Sequence, residues 1–391
     1  LFNPDEALYA EPAREMLENG AWITTYLNYV VRFTKPPLVI WAQAGCIQLF
    51  GSNEFAVRFF GAACASLLMA ASYWFSEKFI GRRAAIVAAI SLMTAPLFVG
   101  TAREAITDMP LSLFLAGAMF AFFAAFRLNN KVWLWMAYIA TGLAVMTKGP
   151  VGLILPVGIL ACYHLLKQDY REALRFYRPF AGLGIVALIA VPWFAVEIYI
   201  TKGAYFNEFI MRENFQRFTG NVDSHKSGWW YHIAALMGGY FPWSVFVPQA
   251  LLASIPWAKL KDAWKNFGPL SLLRAFKDLT PTQDLALYCV CWTVITVGFF
   301  SASVSKLLPY TLPAFPAIAV LVALEFERIL ENKSVKRALV PTIILAGVFA
   351  AATILPPMFI GKLRDAPVVL GEIIPSFGSF ELIFITAAAA L

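Results

Sequence analysis

The sequence predicts an all-α, polytopic membrane protein. Of its 391 residues, 60% are hydrophobic and only 14% are charged, whereas soluble domains carry about 25% charged residues. The mean hydropathy is +0.67, and the apolar residues come in blocks of about 18–24, the length that crosses a bilayer core as a helix. These observations exclude a soluble globule, a disordered chain and a disulfide-stapled scaffold.

Charged residues separate the apolar blocks from one another, and each block is predicted to be a membrane-spanning helix. We expect a truncated last span and at least twelve spans in the intact protein. The eleven blocks are 56–77, 84–101, 110–126, 132–147, 150–166, 180–200, 229–256, 284–302, 307–324, 338–360 and 377–391.

The cations predict the orientation of these spans. Eighteen of the 31 Lys and Arg residues fall in five loops that total 63 residues: 78–83, 127–131, 167–178, 257–283 and 325–337. By the positive-inside rule these loops are cytoplasmic. The formal charge of +7 therefore reflects topology and attraction to membrane lipids, and no nucleic-acid partner is expected. The five cysteines lie in apolar stretches and are expected to be reduced.

The opposite, outer side carries 13 of the 24 acidic residues. Two long outer segments, 1–55 and 201–228, are amphipathic and rich in aromatic residues. They are predicted to be helices lying along the membrane surface.

The first candidate motif runs from Asn3 to Tyr9 and contains the adjacent acids Asp5 and Glu6. Acids in the first turn of a helix complement its dipole and cap its amide groups, which is one interpretation. The other is a general base at the outer face, where a carboxylate takes a proton from an acceptor. The two interpretations are compatible.

Four cations stand in or beside outer turns: Lys35 before two prolines, Arg103, Lys148 and Lys306. A single lysine here is typical of a side chain that snorkels to water. Several cations on one face indicate a polyanion site, such as one for the phosphate of a lipid. Arg103 also shares its loop with Asp108, although that acid lies at a helix start and has a capping role open to it.

The second long outer segment contains His225 and then Trp229, Trp230 and Tyr231. The aromatic run is typical of an interfacial belt. His225 is open to a role as a ligand, as an acid or base, or as an ordinary loop residue. The chain has three histidines, which argues against a multi-histidine metal site and leaves a mixed histidine and carboxylate site open.

Six motifs occur here in the same order as in one known family. They are Asp-Glu-x-x-Tyr from Asp5, Lys-Pro-Pro-Leu from Lys35, Arg-x-x-x-x-Asp-Met-Pro from Arg103, Lys-Gly-Pro from Lys148, His-x-x-x-Trp-Trp-Tyr from His225, and Ser-x-x-Lys from Ser303 followed by Tyr-x-x-Pro from Tyr310. Over 1–325 the chain resembles the polyprenyl-phosphate-dependent glycosyltransferases of the GT-C membrane class. It is most similar to the aminoarabinose lipid A transferases and their protein-mannosyltransferase-like relatives.

The resemblance implies a catalytic region over 1–325 and C-terminal transmembrane helices over 326–391. It implies Asp5 as catalytic base, with Asp108 supporting the site, and Lys35, Arg103, Lys148 and Lys306 on the donor phosphate. Glu6, beside Asp5, is the third catalytic candidate. The substrate cavity would be formed by Tyr9, His225, Trp229, Trp230, Tyr231 and Tyr310.

The chain departs from the family pattern at two positions, both of which move it toward the broader relatives, and the first of which concerns a metal. Thr34 stands where an acid often precedes the lysine, and Leu8 stands where an arginine is common. A divalent metal on His225 with Asp5 or Glu6 therefore stays an open expectation, and no other cofactor is expected.

The implied reaction moves a sugar from an undecaprenyl-phosphate carrier to a lipid, glycan or protein acceptor. It would occur at the periplasmic face of a bacterial inner membrane, by single displacement with inversion. A transporter or flippase of a lipid-linked anion is the main alternative, but it predicts charges near the bilayer midplane and an internal repeat. A non-catalytic membrane subunit is the other alternative, and it leaves the outer acids and cations unexplained.

Overall fold

The computed structural model describes residues 4–219, 228–267, 273 and 275–348. The chain divides into two units, 1–334 and 335–391. The described part of the second unit, 335–348, is helical. The boundary predicted after residue 325 falls within the last helix of the first unit, Phe315–Glu331.

Over its described residues the first unit consists of helices, the turns between them and one short hairpin, which confirms the predicted fold class. Its elements in chain order are α1 (Pro4–Asn19), β1 (Tyr26–Leu27), β2 (Val30–Val31), α2 (Leu38–Phe50), α3 (Glu54–Phe79), α4 (Arg82–Met93), α5 (Pro96–Ala102), α6 (Asp108–Leu128), α7 (Lys131–Lys148), α8 (Val151–Lys167), α9 (Tyr170–Tyr177), α10 (Pro179–Ile200), a π-helix (Phe206–Gln216), α11 (Arg217–Thr219), α12 (Tyr231–Gly239), a 3₁₀ turn (Trp243–Phe246), α13 (Val247–Ala253), α14 (Trp257–Phe267), α15 (Pro281–Ala302), a second 3₁₀ segment (Leu308–Ala314) and α16 (Phe315–Glu331).

Five of the described helical segments are long and apolar enough to cross a membrane: Glu54–Phe79, Asp108–Leu128, Pro179–Ile200, Pro281–Ala302 and Leu308–Glu331. A sixth is obtained if α4 and α5, which meet at an angle of 66°, form one broken span. The bend falls at Pro96, because proline has no amide hydrogen and cannot continue the preceding helix. The total of eleven spans stays a prediction.

Local sequence signals set several helix starts. Asn53 and Asn130 each accept a hydrogen bond from a backbone amide in the first turn of α3 and α7. Thr280 and Gln283 form a reciprocal capping box at the start of α15. These side chains satisfy amide groups that the first turn of a helix leaves without partners.

Burial separates the core helices from those that face lipid. In α16 every side chain from Phe315 to Glu325 is buried. By contrast, α10 leaves Phe180 89% and Leu188 76% exposed. Apolar side chains this exposed on a membrane-length helix indicate a surface that contacts lipid.

A buried ion network joins α6, α8 and α15 at one end of the bundle. The Asp284 carboxylate lies 2.9 Å from the Lys167 ammonium and 3.1 Å from the Arg127 guanidinium, and it accepts a 2.8 Å hydrogen bond from Tyr163. These residues fall at or beside the cation-rich loops. This network therefore marks the predicted cytoplasmic end, with the other end of α15 on the outer side.

The outer segment 1–55 departs from the helical prediction between α1 and α2. Tyr26 pairs with Val31 and Leu27 with Val30 in an antiparallel hairpin. Asn28 and Tyr29 at its turn have φ of 53° and 60°, as a two-residue hairpin loop requires. The buried Glu15 carboxylate accepts a hydrogen bond from the Tyr29 amide and fixes the hairpin on α1. The prediction of helix was wrong for this stretch and right for α1 and α2.

Candidate active site

The described outer side of the bundle contains a cavity of about 380 Å³ between α8, α15 and the π-helix. Polar and charged side chains occupy part of its wall, and aliphatic and aromatic side chains form the remainder. Its lining residues are Lys35, Lys148, Pro150, Val151, Ile154, Ile210, Glu213, Asn214, Phe215, Arg217, Phe218, Phe299, Phe300, Ser303, Ser305 and Tyr310. Two of the apolar wall residues, Ile154 and Phe215, are 48% and 62% exposed, so the apolar wall reaches the outer surface of the protein.

Lys35 reaches the cavity from the loop between the hairpin and α2. The neighbouring Phe33 packs edge-on against Tyr205, with ring centroids 5.8 Å apart, and Pro36 and Pro37 are buried behind it. Burial, and then the positive charge of Lys148, lower the pKa of Lys35 to about 8. A lysine with this pKa gains charge stabilisation when an anion enters.

Lys148 connects the cavity to Asp108 at the start of α6. Its ammonium lies 2.5 Å from the Asp108 carboxylate and 4.6 Å from the centre of the Tyr310 ring. Lys148 is only 9% exposed, and a buried cation requires such partners. The structure thus brings together Lys35, Lys148, Asp108 and Tyr310, four of the residues predicted from the motifs.

Tyr9 lies on the α1 side of this group. It is buried and hydrogen-bonded to Thr107, the residue before Asp108, and burial raises its pKa above the ordinary value. The Arg32 guanidinium lies 5.8 Å from the Tyr9 ring centre. Asp5 belongs to the same helix, one turn before Tyr9, and its side chain lies outside the described residues.

Arg217 is a cavity cation that the sequence-based site lacks. It follows the 11-residue π-helix, an arrangement often found at functional sites, and its guanidinium lies 3.0 Å from the Glu213 carboxylate. In the same helix the Asn214 amide donates a 2.7 Å hydrogen bond to the carbonyl of Phe209. The sequence signal for Arg217 is weak, because a glutamate four residues before an arginine is an ordinary surface pair on a helix.

Two predicted phosphate-binding cations lie elsewhere. Arg103 is exposed at the end of α5 and does not line the cavity. The Lys306 ammonium donates hydrogen bonds to the carbonyls of Ser301, at 2.5 Å, and of Ser303. Lys306 therefore caps the end of α15, because the last carbonyls of a helix have no partners within it.

The two tryptophans of the predicted aromatic run lie at the surface. Trp229 and Trp230 are 71% and 54% exposed, and Tyr231 begins α12. Their position agrees with an interfacial belt, and their contact with a substrate stays a prediction. His225 lies outside the described residues. Within the described ranges no group of three His, Cys, Asp or Glu side chains is placed to hold a metal, and the expected site on His225 remains untested.

Glu6 is buried and tied to two neighbouring segments. Its carboxylate makes a bidentate ion pair with Arg58 of α3, both distances 2.8 Å, and it accepts a hydrogen bond from the Ala105 amide. Gln43 of α2 donates to the carbonyl of the same Ala105. These contacts hold α1, α3 and the Asp108 loop together, which favours a structural role for Glu6.

Replacing Glu6 by glutamine is expected to destabilise the fold. Arg58 would keep its charge and lose its bidentate partner, at a cost of about 2 kcal/mol because it is partly exposed. Thermal unfolding of the purified variant in detergent measures the loss of stability. Glu54→Gln is the matched control, since Glu54 also contacts Arg58 but at 3.5 Å and with a 62% exposed side chain. A Glu6→Gln variant of normal stability without activity would instead support a catalytic role.

Gly149, in the turn between Lys148 and Pro150, makes a close approach to the π-helix. Its φ is +85°, and an added Cβ would lie 2.6 Å from Cζ of the fully buried Phe209. Gly149→Ala is expected to displace the π-helix and to lower both stability and ligand affinity at the cavity, by about 1–3 kcal/mol for the overpacking. Gly203→Ala is the control, because Gly203 has the same φ with open space around it. Equal losses in thermal stability for the two variants would show that backbone strain alone is responsible.

The fold and this site define a class. A helical membrane bundle with outer surface helices and a cationic, apolar-walled cavity is the architecture of the GT-C glycosyltransferases. ArnT from Cupriavidus metallidurans, in a crystal structure bound to undecaprenyl phosphate, superposes with a TM-score of 0.77 at 25% identity, over 94% of this chain and 62% of that one. The archaeal oligosaccharyltransferase AglB from Archaeoglobus fulgidus shares the fold, with a TM-score of 0.54 at 15% identity, over 90% of this chain and 50% of that one.

Sequence comparison narrows the class to a family. The dolichyl-phosphate-mannose-protein mannosyltransferase family model matches residues 2–202, and the chain belongs to this family. The undecaprenyl phosphate-alpha-4-amino-4-deoxy-L-arabinose arabinosyl transferase of Erwinia tasmaniensis is 32% identical over 329 residues, 83% of this chain and 55% of that protein. The protein of the same name from Aeromonas hydrophila is 30% identical over 328 residues, with the same coverage. The chain thus spans about half the length of these curated relatives.

Proposed function

We propose that the chain is the donor-binding and catalytic region of a membrane glycosyltransferase. Its substrate would be a sugar carried on a polyprenyl phosphate, and the undecaprenyl-phosphate-linked aminopentose named for its relatives is the first candidate. The observation that carries the proposal is the cavity, which Lys35, Lys148 and Arg217 line together with aliphatic and aromatic residues. A polyprenyl phosphate has a matching composition, because its phosphate is anionic and its long hydrocarbon chain is apolar.

The cations would act on the leaving group. As the bond between the anomeric carbon and the phosphate oxygen breaks, its electron pair moves onto the phosphate, and nearby ammonium and guanidinium groups stabilise the growing charge. Asp108 would position Lys148 through their 2.5 Å ion pair. Glu213 would position Arg217 in the same way, at 3.0 Å.

Asp5 would be the general base. It would take the proton of an acceptor hydroxyl or amine while that atom forms its bond to the anomeric carbon, opposite the departing phosphate, so the configuration is inverted. The acceptor class expected from the resemblance is lipid A, with other lipids, glycans and proteins as the alternatives. The reaction would take place at the periplasmic face, since the cavity lies at the end of α15 away from the Asp284 network.

Reconstituted vesicles separate transfer from transport. The full chain would receive undecaprenyl-phosphate-linked sugar together with a panel of acceptors. We expect mass spectrometry to detect free undecaprenyl phosphate and one glycosylated acceptor in equal amounts. Movement of the intact lipid-linked sugar across the bilayer without cleavage would support a transporter and contradict the proposal. In a deletion strain, the polyprenyl-linked sugar that accumulates would identify the donor.

A further inference from the structure

The α14 helix has the composition of a helix that lies in a membrane surface. It carries Trp257, Leu260 and Trp264 at spacings of three and four residues, so these side chains share one face. Lys261 and Lys265 lie beside that face, with Asp262 as the one acid of the helix. Tryptophan on one face and lysine at its border are typical of helices that lie in the headgroup region.

Among the described residues, the two tryptophans of the apolar face of α14 are largely uncovered. Trp257 is 51% and Trp264 58% exposed, and of the α14 side chains that the structure describes none is buried. The Trp257 indole donates a 2.9 Å hydrogen bond to the carbonyl of Leu252, and the Lys259 ammonium donates to the carbonyl of Asp278. These two bonds tie the first turn of α14 to the end of α13 and to the residues before α15, while Trp257 and Trp264 stay exposed.

The α9 helix, at the same end of the bundle, is also amphipathic, but its apolar face is buried. In α9 the apolar face carries Ala173 and Tyr177, which are 3% and 7% exposed and pack into a core cluster with Tyr138. The protein itself covers that face. An equivalent cover for α14 is absent among the described residues.

The position of α14 in the bundle indicates which leaflet of the membrane it contacts. It precedes α15, whose first turns carry Asp284 in the buried network, whereas the far end of α15 leads to Ser303 at the cavity. The helix thus lies at the end of the bundle opposite the cavity, where the cation-rich loops predict the cytoplasm. Anionic lipids give this leaflet a negative surface potential that attracts lysine side chains.

We propose that α14 is an in-plane helix that binds anionic glycerophospholipids of the cytoplasmic leaflet. Its tryptophans insert between the headgroups, and Lys261 and Lys265 bind the phosphodiester groups. The site is separate from the donor cavity and independent of the reaction proposed for it. It fixes the height of the end of α13 and of the start of α15 in the membrane.

The test compares two charge-removing variants of the full chain in detergent. Phosphatidylglycerol and phosphatidylcholine of short chain length are titrated, and bound lipid is counted by native mass spectrometry. We expect the parent chain to prefer phosphatidylglycerol and Lys261→Gln with Lys265→Gln to bind it about 30-fold more weakly. Arg171→Gln with Arg175→Gln, which removes two exposed cations from α9, should keep the preference, and high salt should abolish it.

Equal binding of the two lipids by the parent chain would overturn the proposal, and so would equal losses in the two double variants. A dye attached at Trp264→Cys gives an independent readout. Its emission should shift to the blue when the protein enters vesicles that contain phosphatidylglycerol. Emission from the vesicles at the wavelength of the dye in water would show that this face does not enter the membrane, and would also overturn the proposal.

Discussion

The Asp5→Asn variant is expected to fold normally and to lose nearly all sugar transfer. Asparagine keeps the size of the side chain and its ability to cap a helix, but it cannot accept the acceptor's proton. General-base catalysis accounts for a factor of about 10²–10⁴ in rate, and we expect a loss of that size in kcat. The measurement is transfer from undecaprenyl-phosphate-linked sugar in reconstituted vesicles, with donor binding measured separately.

The matched control is Glu18→Gln in the same helix. Glu18 is exposed and paired with Arg14, so removing its charge changes the helix dipole interaction little and leaves the site intact. Because Tyr9 and Thr107 connect α1 to the Asp108 loop, a misfolded α1 would lower donor binding as well as the rate. Full activity of Asp5→Asn would remove Asp5 as the base, and loss of donor binding would assign it a structural role.

The membrane class of the fold could be predicted from the sequence because apolar blocks report helix length directly. The short turn at Lys148 and the start of α6 at Asp108 were also predictable, since glycine and proline mark such boundaries. The hairpin at 26–31 was missed because two residues per strand give no alternating pattern. Its register depends on Glu15, which is buried on another element and contacts the Tyr29 amide.

The same limits explain which of the predicted cations line the cavity. Lys35, Lys148 and Lys306 look alike in sequence, as lone lysines in outer turns between apolar segments. Only the packing distinguishes them. The Lys306 ammonium is hydrogen-bonded to carbonyls at the end of α15, whereas Lys35 and Lys148 line the cavity. Arg217 looks like half of a surface ion pair until the π-helix brings it to the cavity wall. The spacing of residues in the sequence predicts contacts within one helix or turn well. It predicts poorly which distant segments meet in the folded protein.

Replacing Lys35 by alanine is expected to raise the KM for the lipid-linked donor much more than the KM for the acceptor. A hydrogen bond to a charged group contributes about 1.5–3 kcal/mol, so donor affinity should fall about 10- to 150-fold. Arg103→Ala is the matched control, because Arg103 is an outer cation that does not line the cavity. Equal effects of the two changes would contradict a direct contact between Lys35 and the phosphate.

The pH dependence of donor binding tests the same contact without removing the side chain. The pKa of Lys35 is lowered to about 8 by burial and by Lys148, so the ammonium is charged below that pH and neutral above it. Since the phosphate favours the charged form, donor affinity should decline as the pH rises through about 8 instead of near the ordinary lysine value of about 10.4. Lys35→Arg retains its charge at every accessible pH, and its donor affinity should stay level across this range. A decline of the same size in Lys35→Arg would assign the titration to another group.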